Sequence, residues 1–345
     1  MIYKKPAKLK QGDVVAIVSP SWGGPSVFPH IYENGIKVLK EWGLEIAEYP
    51  TARMDAGFLR ENPQVRAKDI NDAFADSEVK AIFASIGGDD SVRILPFVDK
   101  DIVAKNPKIL MGYSDTSTLH VLANLQGLVS FYGPSIMAGF SQMETLPESF
   151  KTHVHDILFE PKENYEYKPY GKYCDGYLDW SDKENLGKTK PIKTDDGWHW
   201  LQGNSKVQGE LFGGCIEVLE MMKATDFWPS QDFWKGKVFF LETSEEKPSI
   251  HYIDHVLRNY GMLGVFDQIS GFIFSRARDY SDDEKKELEE KIISIVAKEF
   301  GKPNLPIIAN FDVGHTDPQL VLPLGVKAEI DCLAKRVSLV ESWIE

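Results

Sequence analysis

The chain has 345 residues, 43% of them hydrophobic, and a formal net charge of −13. That length allows two domains of ordinary size with real cores, and the lack of any basic run argues against a surface for nucleic acid polymers. No apolar stretch approaches the roughly 18 residues of a membrane span, and the first residues lack the apolar core of a signal peptide. Three isolated cysteines, Cys174, Cys215 and Cys332, suggest neither a disulfide framework nor a zinc site. The expected setting is the reducing cytoplasm, away from membranes, with no metal or other cofactor.

Val14 to Val18 reads as a buried first strand that ends in Ser-Pro-Ser-Trp-Gly-Gly. That loop is not a G-x-G-x-x-G turn and has little claim as a dinucleotide site. Ile31 to Trp42 follows helical spacing and stops at Gly43, and Leu44 to Tyr49 is a second strand. Asn62 to Phe74 predicts a helix with an Asn cap and Pro at its first position. Ala81 to Ile86 is a third strand, leading into Gly87-Gly88-Asp89-Asp90. The stretch Lys108 to Leu125 predicts a strand, a tight turn at Ser114 and a helix, and Leu128 to Tyr132 follows as a strand. Strands alternating with helices predict an α/β fold with a parallel sheet, whose ligands bind beyond the strand C-termini. Ser19, Gly88 and Ser114 fall at such ends.

From about Glu160 to Ser205 the sequence is rich in Tyr, Trp, Lys, Asp and Gly and loses periodicity. It reads as a connection that also folds over a site. Beyond it, Val207 to Leu211, Val238 to Leu241, Gly271 to Phe274 and Pro306 to Asn310 read as strands. Helices are expected near Gly214, near Pro248 and over Ser281 to Phe300, and the tail Gln319 to Val340 alternates as β-structure. The expected organisation is an N-terminal α/β domain over 1–160, a linker and active-site loop over 161–205, and a smaller C-terminal α/β domain over 206–345.

Ser114 at a strand–turn–helix bend has the setting of a nucleophile elbow, although Thr116 stands where G-x-S-x-G has its second Gly. The bland alternative is that Ser114 and Asp115 cap the helix. A nucleophilic serine needs a base and an orienting acid. His315, in N-F-D-V-G-H-T-D-P, and Glu242, which ends Val238-Phe239-Phe240-Leu241, both follow strands and are the candidates. Gly87-Gly88 permits close backbone approach to a ligand, and one N–H there with that of Asp115 would form a two-donor oxyanion hole. His251 and His255 have helical spacing for a metal pair, but no carboxylate or cysteine completes the set.

Four elements occur in one order: I-G-G-D-D-S at Ile86 to Ser91, G-Y-S-D at Gly112 to Asp115, F-L-E at Phe240 to Glu242, and D-V-G-H-T at Asp312 to Thr316. Together they resemble the LD-carboxypeptidase family of serine peptidases, which includes the microcin C immunity proteins, over nearly the whole chain. The resemblance implies a Ser114–Glu242–His315 triad and an oxyanion hole from the N–H groups of Gly88 and Asp115. It also implies an N-terminal flavodoxin-like domain, a smaller C-terminal domain and a homodimer. Muropeptide-processing members carry an Arg-Gly-Gly-Tyr-Gly-like turn where this chain has Ile86 to Asp90. The G-G-D-D-S run instead resembles the immunity branch, with Gly87 and Asp89 beside the substrate and a loop tryptophan on its nucleobase. Trp180 is the best match for that tryptophan, with Trp198 and Trp200 as other candidates.

The expected activity is therefore cleavage of peptidyl or aminoacyl nucleotides by a serine carboxypeptidase-type hydrolase. The same chemistry on muramyl tetrapeptides, releasing D-alanine in cell-wall recycling, is the alternative. A non-catalytic two-domain small-molecule-binding protein is the reading from another class. The coincidence of Ser, Glu and His at strand ends speaks against that last one.

Overall fold

The computed structural model describes residues 2–345. Five parallel strands form the core of a first sheet: β1 (Val14–Val18), β2 (Glu45–Glu48), β3 (Val79–Ala84), β4 (Ile109–Gly112) and β5 (Ser130–Tyr132). β1, β3 and β4 are almost wholly apolar and buried, as strands covered on both faces must be. The strand order is β5-β4-β3-β1-β2, and Leu322–Leu324, from far down the chain, pairs antiparallel with β5 to finish that edge. Pro323 is tolerated there because an edge strand has one side free of ladder bonds.

The second sheet has eight strands. Lys206–Cys215, Val238–Glu242, Gly271–Ser275 and Ile307–Phe311 run parallel at its centre. Lys327–Asp331, Arg336–Leu339 and Tyr165–Glu166 extend one side antiparallel, and His199–Gln202 closes the other. Tyr132 of the first sheet meets Phe240 of the second edge-on, with ring centroids 5.2 Å apart. The ends of β4, β5 and Val238–Glu242 thereby come together.

Most expected elements lie within a few residues of their places. The helix expected from Asn62 runs Pro63–Ala75 with Pro first, but the Asn62 amide does not cap it; it donates back to the carbonyl of Phe58 at 2.8 Å. The expected helix over Ser281 to Phe300 is α-helical over Asp282–Ile293, opened by a Ser281–Glu284 capping box, and widens into a π-helical turn over Ser294–Glu299. The long polar segment contains short strands, and its Cys174 exchanges backbone hydrogen bonds with Asp317 at 2.8 and 3.0 Å. This bridge ties the segment beside His315. Among the described residues no helix is long and apolar enough to cross a membrane.

Candidate active site

β4 ends at Gly112, and the chain reverses through Ser114 into the helix Ser117–Leu125. Ser114 holds φ at 58°, a left-handed conformation that side chains other than glycine seldom adopt. Such strain, held by a buried turn, is expected where a side chain must be presented. Thr116 fits in place of a glycine because its side chain lies against Gly112, whose missing Cβ would sit 2.8 Å from the Thr116 hydroxyl. Neither Ser114 nor Asp115 caps the helix; Thr116 occupies the cap position without a side-chain bond.

Ser114 Oγ lies 3.1 Å from Nε2 of His315, and Nδ1 of His315 lies 2.7 Å from Oε2 of Glu242. Glu242 is fully buried at the end of its strand, and His315 is nearly so. Gly314 makes the second contact possible: with φ at 91° it leaves space where a Cβ would lie 2.4 Å from the Glu242 carboxylate. A second carboxylate also reaches the imidazole, with Glu245 Oε2 3.0 Å from Nε2. Burial opposes the charged imidazole, but Glu242 and then Glu245 outweigh it and push His315 up to about 10. Glu245 answers in the opposite sense: against partial burial, its bond to His315 brings it down to about 2.

Tyr132, at the end of β5, ties nucleophile to acid. Its hydroxyl donates to Glu242 Oε1 and accepts the Ser114 backbone N–H at 3.1 Å. Asp115, fully buried, turns its carboxylate onto the neighbouring loop. Oδ2 accepts from Ser21 Oγ at 2.5 Å, Asp90 N at 3.0 Å and Ser91 N at 2.8 Å. Burial raises its carboxyl above the usual range, against these hydrogen bonds. Buried Arg66 clamps Asp90 from the other side with bonds of 2.7 and 3.1 Å. The loop carrying Gly88 is therefore fixed against the elbow. A Cβ on Gly87 would lie 3.1 Å from Ser114 Oγ, and one on Gly88 would strike Ser21 Oγ at 2.1 Å. The exposed Gly88 N–H has no acceptor among the described residues.

Two cavities meet at the Gly88 loop, and one of them reaches Ser114. The larger, about 460 Å³, is lined by Ser114, Gly88, Glu217, Met221, Glu245, Tyr252 and neighbours, and no lysine or arginine contributes to it. The smaller, about 410 Å³, has Trp22, Arg60 and Asp90 on its walls. Gly88, Asp89, Glu245 and Glu246 border both.

The expected site residues Gly87, Gly88, Ser114, Asp115, Glu242 and His315 thus meet at one point, and Asp89 stands at the cleft rim, paired with Arg60 at 3.1 Å. Trp180 lines neither cavity. It is 8% exposed, stacked on Tyr177 at 4.2 Å and edge-on to Phe28, which touches Trp22. Trp198 donates to Asp312 at 2.7 Å and Trp200 sits on the edge strand. His251 and His255 pack ring against ring.

Against known proteins, the LD-carboxypeptidase N-terminal domain matches residues 15–133 and the LD-carboxypeptidase C-terminal domain matches residues 208–330. The chain belongs to the LD-carboxypeptidase family. It is a hydrolase of the serine-peptidase kind. The Microcin C7 self-immunity protein MccF of Escherichia coli is 28% identical over 98% of this chain and 96% of its own length. A "Probable murein peptide carboxypeptidase" of Bacillus subtilis is 27% identical over 99% and 95%. MccF solved in complex with aspartyl sulfamoyl adenosine superposes with a TM-score of 0.86 at 26% identity, covering 99% of this chain and 100% of that one.

Sequence reasoning missed Tyr132, the Asp115 carboxylate, Glu245 and Trp22. Tyr132 and Trp22 each end or follow a parallel strand at the ligand-binding edge, and that rule would have flagged both. Glu245 stands in a run of charges, and its chain position carries no sign that it turns inward.

Proposed function

We propose that this LD-carboxypeptidase family member hydrolyses an aminoacyl or peptidyl nucleotide through a Ser114–His315–Glu242 triad. The observation that carries the reading is Ser114, held at positive φ with its hydroxyl 3.1 Å from an imidazole whose other nitrogen is bound to a buried carboxylate. As Ser114 Oγ bonds to the acyl carbon, its proton passes to Nε2 of the neutral imidazole, and Glu242 stabilises the imidazolium through Nδ1–H. The N–H groups of Gly88 and Asp115 receive the oxyanion. Collapse expels the leaving group, which takes the Nε2 proton, and water attacks the acyl-enzyme by the same route in reverse. The site forms between an N-terminal unit over 1–160 and a C-terminal unit over 206–345, with 161–205 folded beside it.

Support for a nucleotide comes from the MccF complex and from Trp22 on the wall of the smaller cavity, with Phe28 against it and Trp180 against Phe28. Gly87 and Asp89 would border the substrate there, and Trp180 would join the stack by leaving Tyr177. The carboxylates of the larger cavity favour an acyl group bearing a free amine over an acidic one. Release of D-alanine from muramyl tetrapeptides is the second reading, favoured by the Bacillus subtilis relative. Hydrolysis of a panel of aminoacyl sulfamoyl adenylates, with basic, neutral and acidic acyl groups, beside muramyl tetrapeptides tests the assignment. Turnover of an adenylate supports it; turnover of the tetrapeptide alone transfers the function to cell-wall recycling.

A further inference from the structure

Nε2 of His315 has two suitors. Ser114 Oγ is 3.1 Å away and Glu245 Oε2 is 3.0 Å away. Ser114 takes the hydrogen-bonding position at Nε2, while Glu245 stands beside it as an ion-pair contact that favours a proton on that nitrogen. With Nδ1 bound to Glu242, a second carboxylate 3.0 Å from Nε2 favours the imidazolium, a state that has no lone pair for Ser114. We propose that Glu245 is a latch on the candidate base, which holds His315 in its proton-loaded form until substrate displaces it from Nε2. This rests on the triad reading and adds a positioning residue to it.

Glu245 is built to move where Glu242 is not. Its side chain is 47% exposed, on the loop between the strand ending at Glu242 and the helix Ile250–Met262. Its only ion-pair partner among the described residues is His315. It borders both cavities, the larger of which reaches Ser114, so a ligand spanning them takes the space it fills. When the carboxylate swings out, the Nε2 proton is released to water. The lone pair left behind then accepts the Ser114 proton as Oγ bonds to the acyl carbon. The latch keeps the nucleophile quiet without substrate.

Other groups facing His315 are Tyr113, edge-on at 4.9 Å, and Asp317 two residues on, which burial raises to about 6 against Arg278. Arg278 and Tyr177 couple electrostatically to Glu245, and Tyr132 acts through Glu242. All of these remain in a Glu245 variant, so the difference from the wild type isolates the latch.

The test is the pH dependence of Ser114 labelling by a fluorophosphonate, which needs the neutral imidazole but no substrate, together with NMR titration of the His315 ring nitrogens. Glu245→Gln should move the acid limb of labelling down by about 1–2 pH units. It should speed labelling near neutrality about tenfold per unit, because the neutral fraction rises by that factor. The His315 titration should move with it. Glu246→Gln, a neighbouring carboxylate with no bond to His315, should leave the limb in place. A limb and a ring titration unmoved in Glu245→Gln overturn the latch. No labelling of the wild type at any pH counts against the triad instead, and the ring titration still decides whether Glu245 holds the proton.

Discussion

Gly314→Ala tests whether the Glu242–His315 contact matters. The new Cβ would stand 2.4 Å from Glu242 Oε2, 2.6 Å from its Cδ and 2.8 Å from its Cβ. A relaxed contact needs about 3.5 Å, so the carboxylate must retreat by roughly 1 Å. Its strand is buried throughout, so the carboxylate rather than the backbone gives way and leaves the position that bonds His315. A displacement of about 1 Å along the 2.7 Å bond would lengthen it to about 3.7 Å, outside hydrogen-bond range. A misplacement of about 1 Å costs on the order of 10²-fold in rate, and loss of the orienting acid about 10⁴-fold, so the barrier rises by about 3–5 kcal/mol. Backbone strain at positive φ adds about 1–3 kcal/mol to the stability cost. Gly301→Ala is the control, since its φ is 65° with nothing within 4 Å of the added methyl. Both variants should lose stability in denaturant titrations, and only Gly314→Ala should lose fluorophosphonate reactivity. Reactivity of Gly314→Ala within about threefold of the wild type would refute the orienting role of Glu242.

Steady-state hydrolysis should fall by about 10⁴–10⁶ in Ser114→Ala and nearly as far in His315→Ala, while Glu242→Gln keeps more activity; full activity in Glu242→Gln would assign the wrong acid. His315 is raised on folding from 6.5 to about 10, so its contribution to stability is complete below about pH 6.5 and fades as pH rises through about 10. Denaturant midpoints between pH 6 and 10 should show that decline in the wild type and lose it in His315→Gln. Trp180→Ala should raise KM for adenylates about 10- to 100-fold and affect a muramyl tetrapeptide much less. Equal losses on both substrates would make Trp180 only a support for Tyr177.

The parallel core was legible because its strands are buried on both faces, which leaves β1, β3 and β4 almost uninterrupted apolar runs. Three chemistry-bearing residues at strand ends were legible for the same reason, and the four ordered motifs bound them to one family. What stayed hidden depends on distance through space. Leu322–Leu324 joins a sheet whose other strands end nearly two hundred residues earlier. The Asp115 carboxylate reads as a helix cap in sequence and is instead the anchor of the Gly88 loop. Trp180 matches the family's loop tryptophan, but in a loop periodicity cannot show which face is covered; Tyr177 covers one. Glu245 lies among exposed charges, and only the approach of the Asp312 to Thr316 loop shows its partner.

Everything proposed for this site depends on Ser114 being a nucleophile served by His315. Intact-mass and peptide-level mass spectrometry after fluorophosphonate treatment tests it most directly. A nucleophilic Ser114 gives one adduct, absent in Ser114→Ala and formed at least about 100-fold more slowly in His315→Ala. An adduct elsewhere, or equal labelling of Ser114 with and without the imidazole, would contradict it.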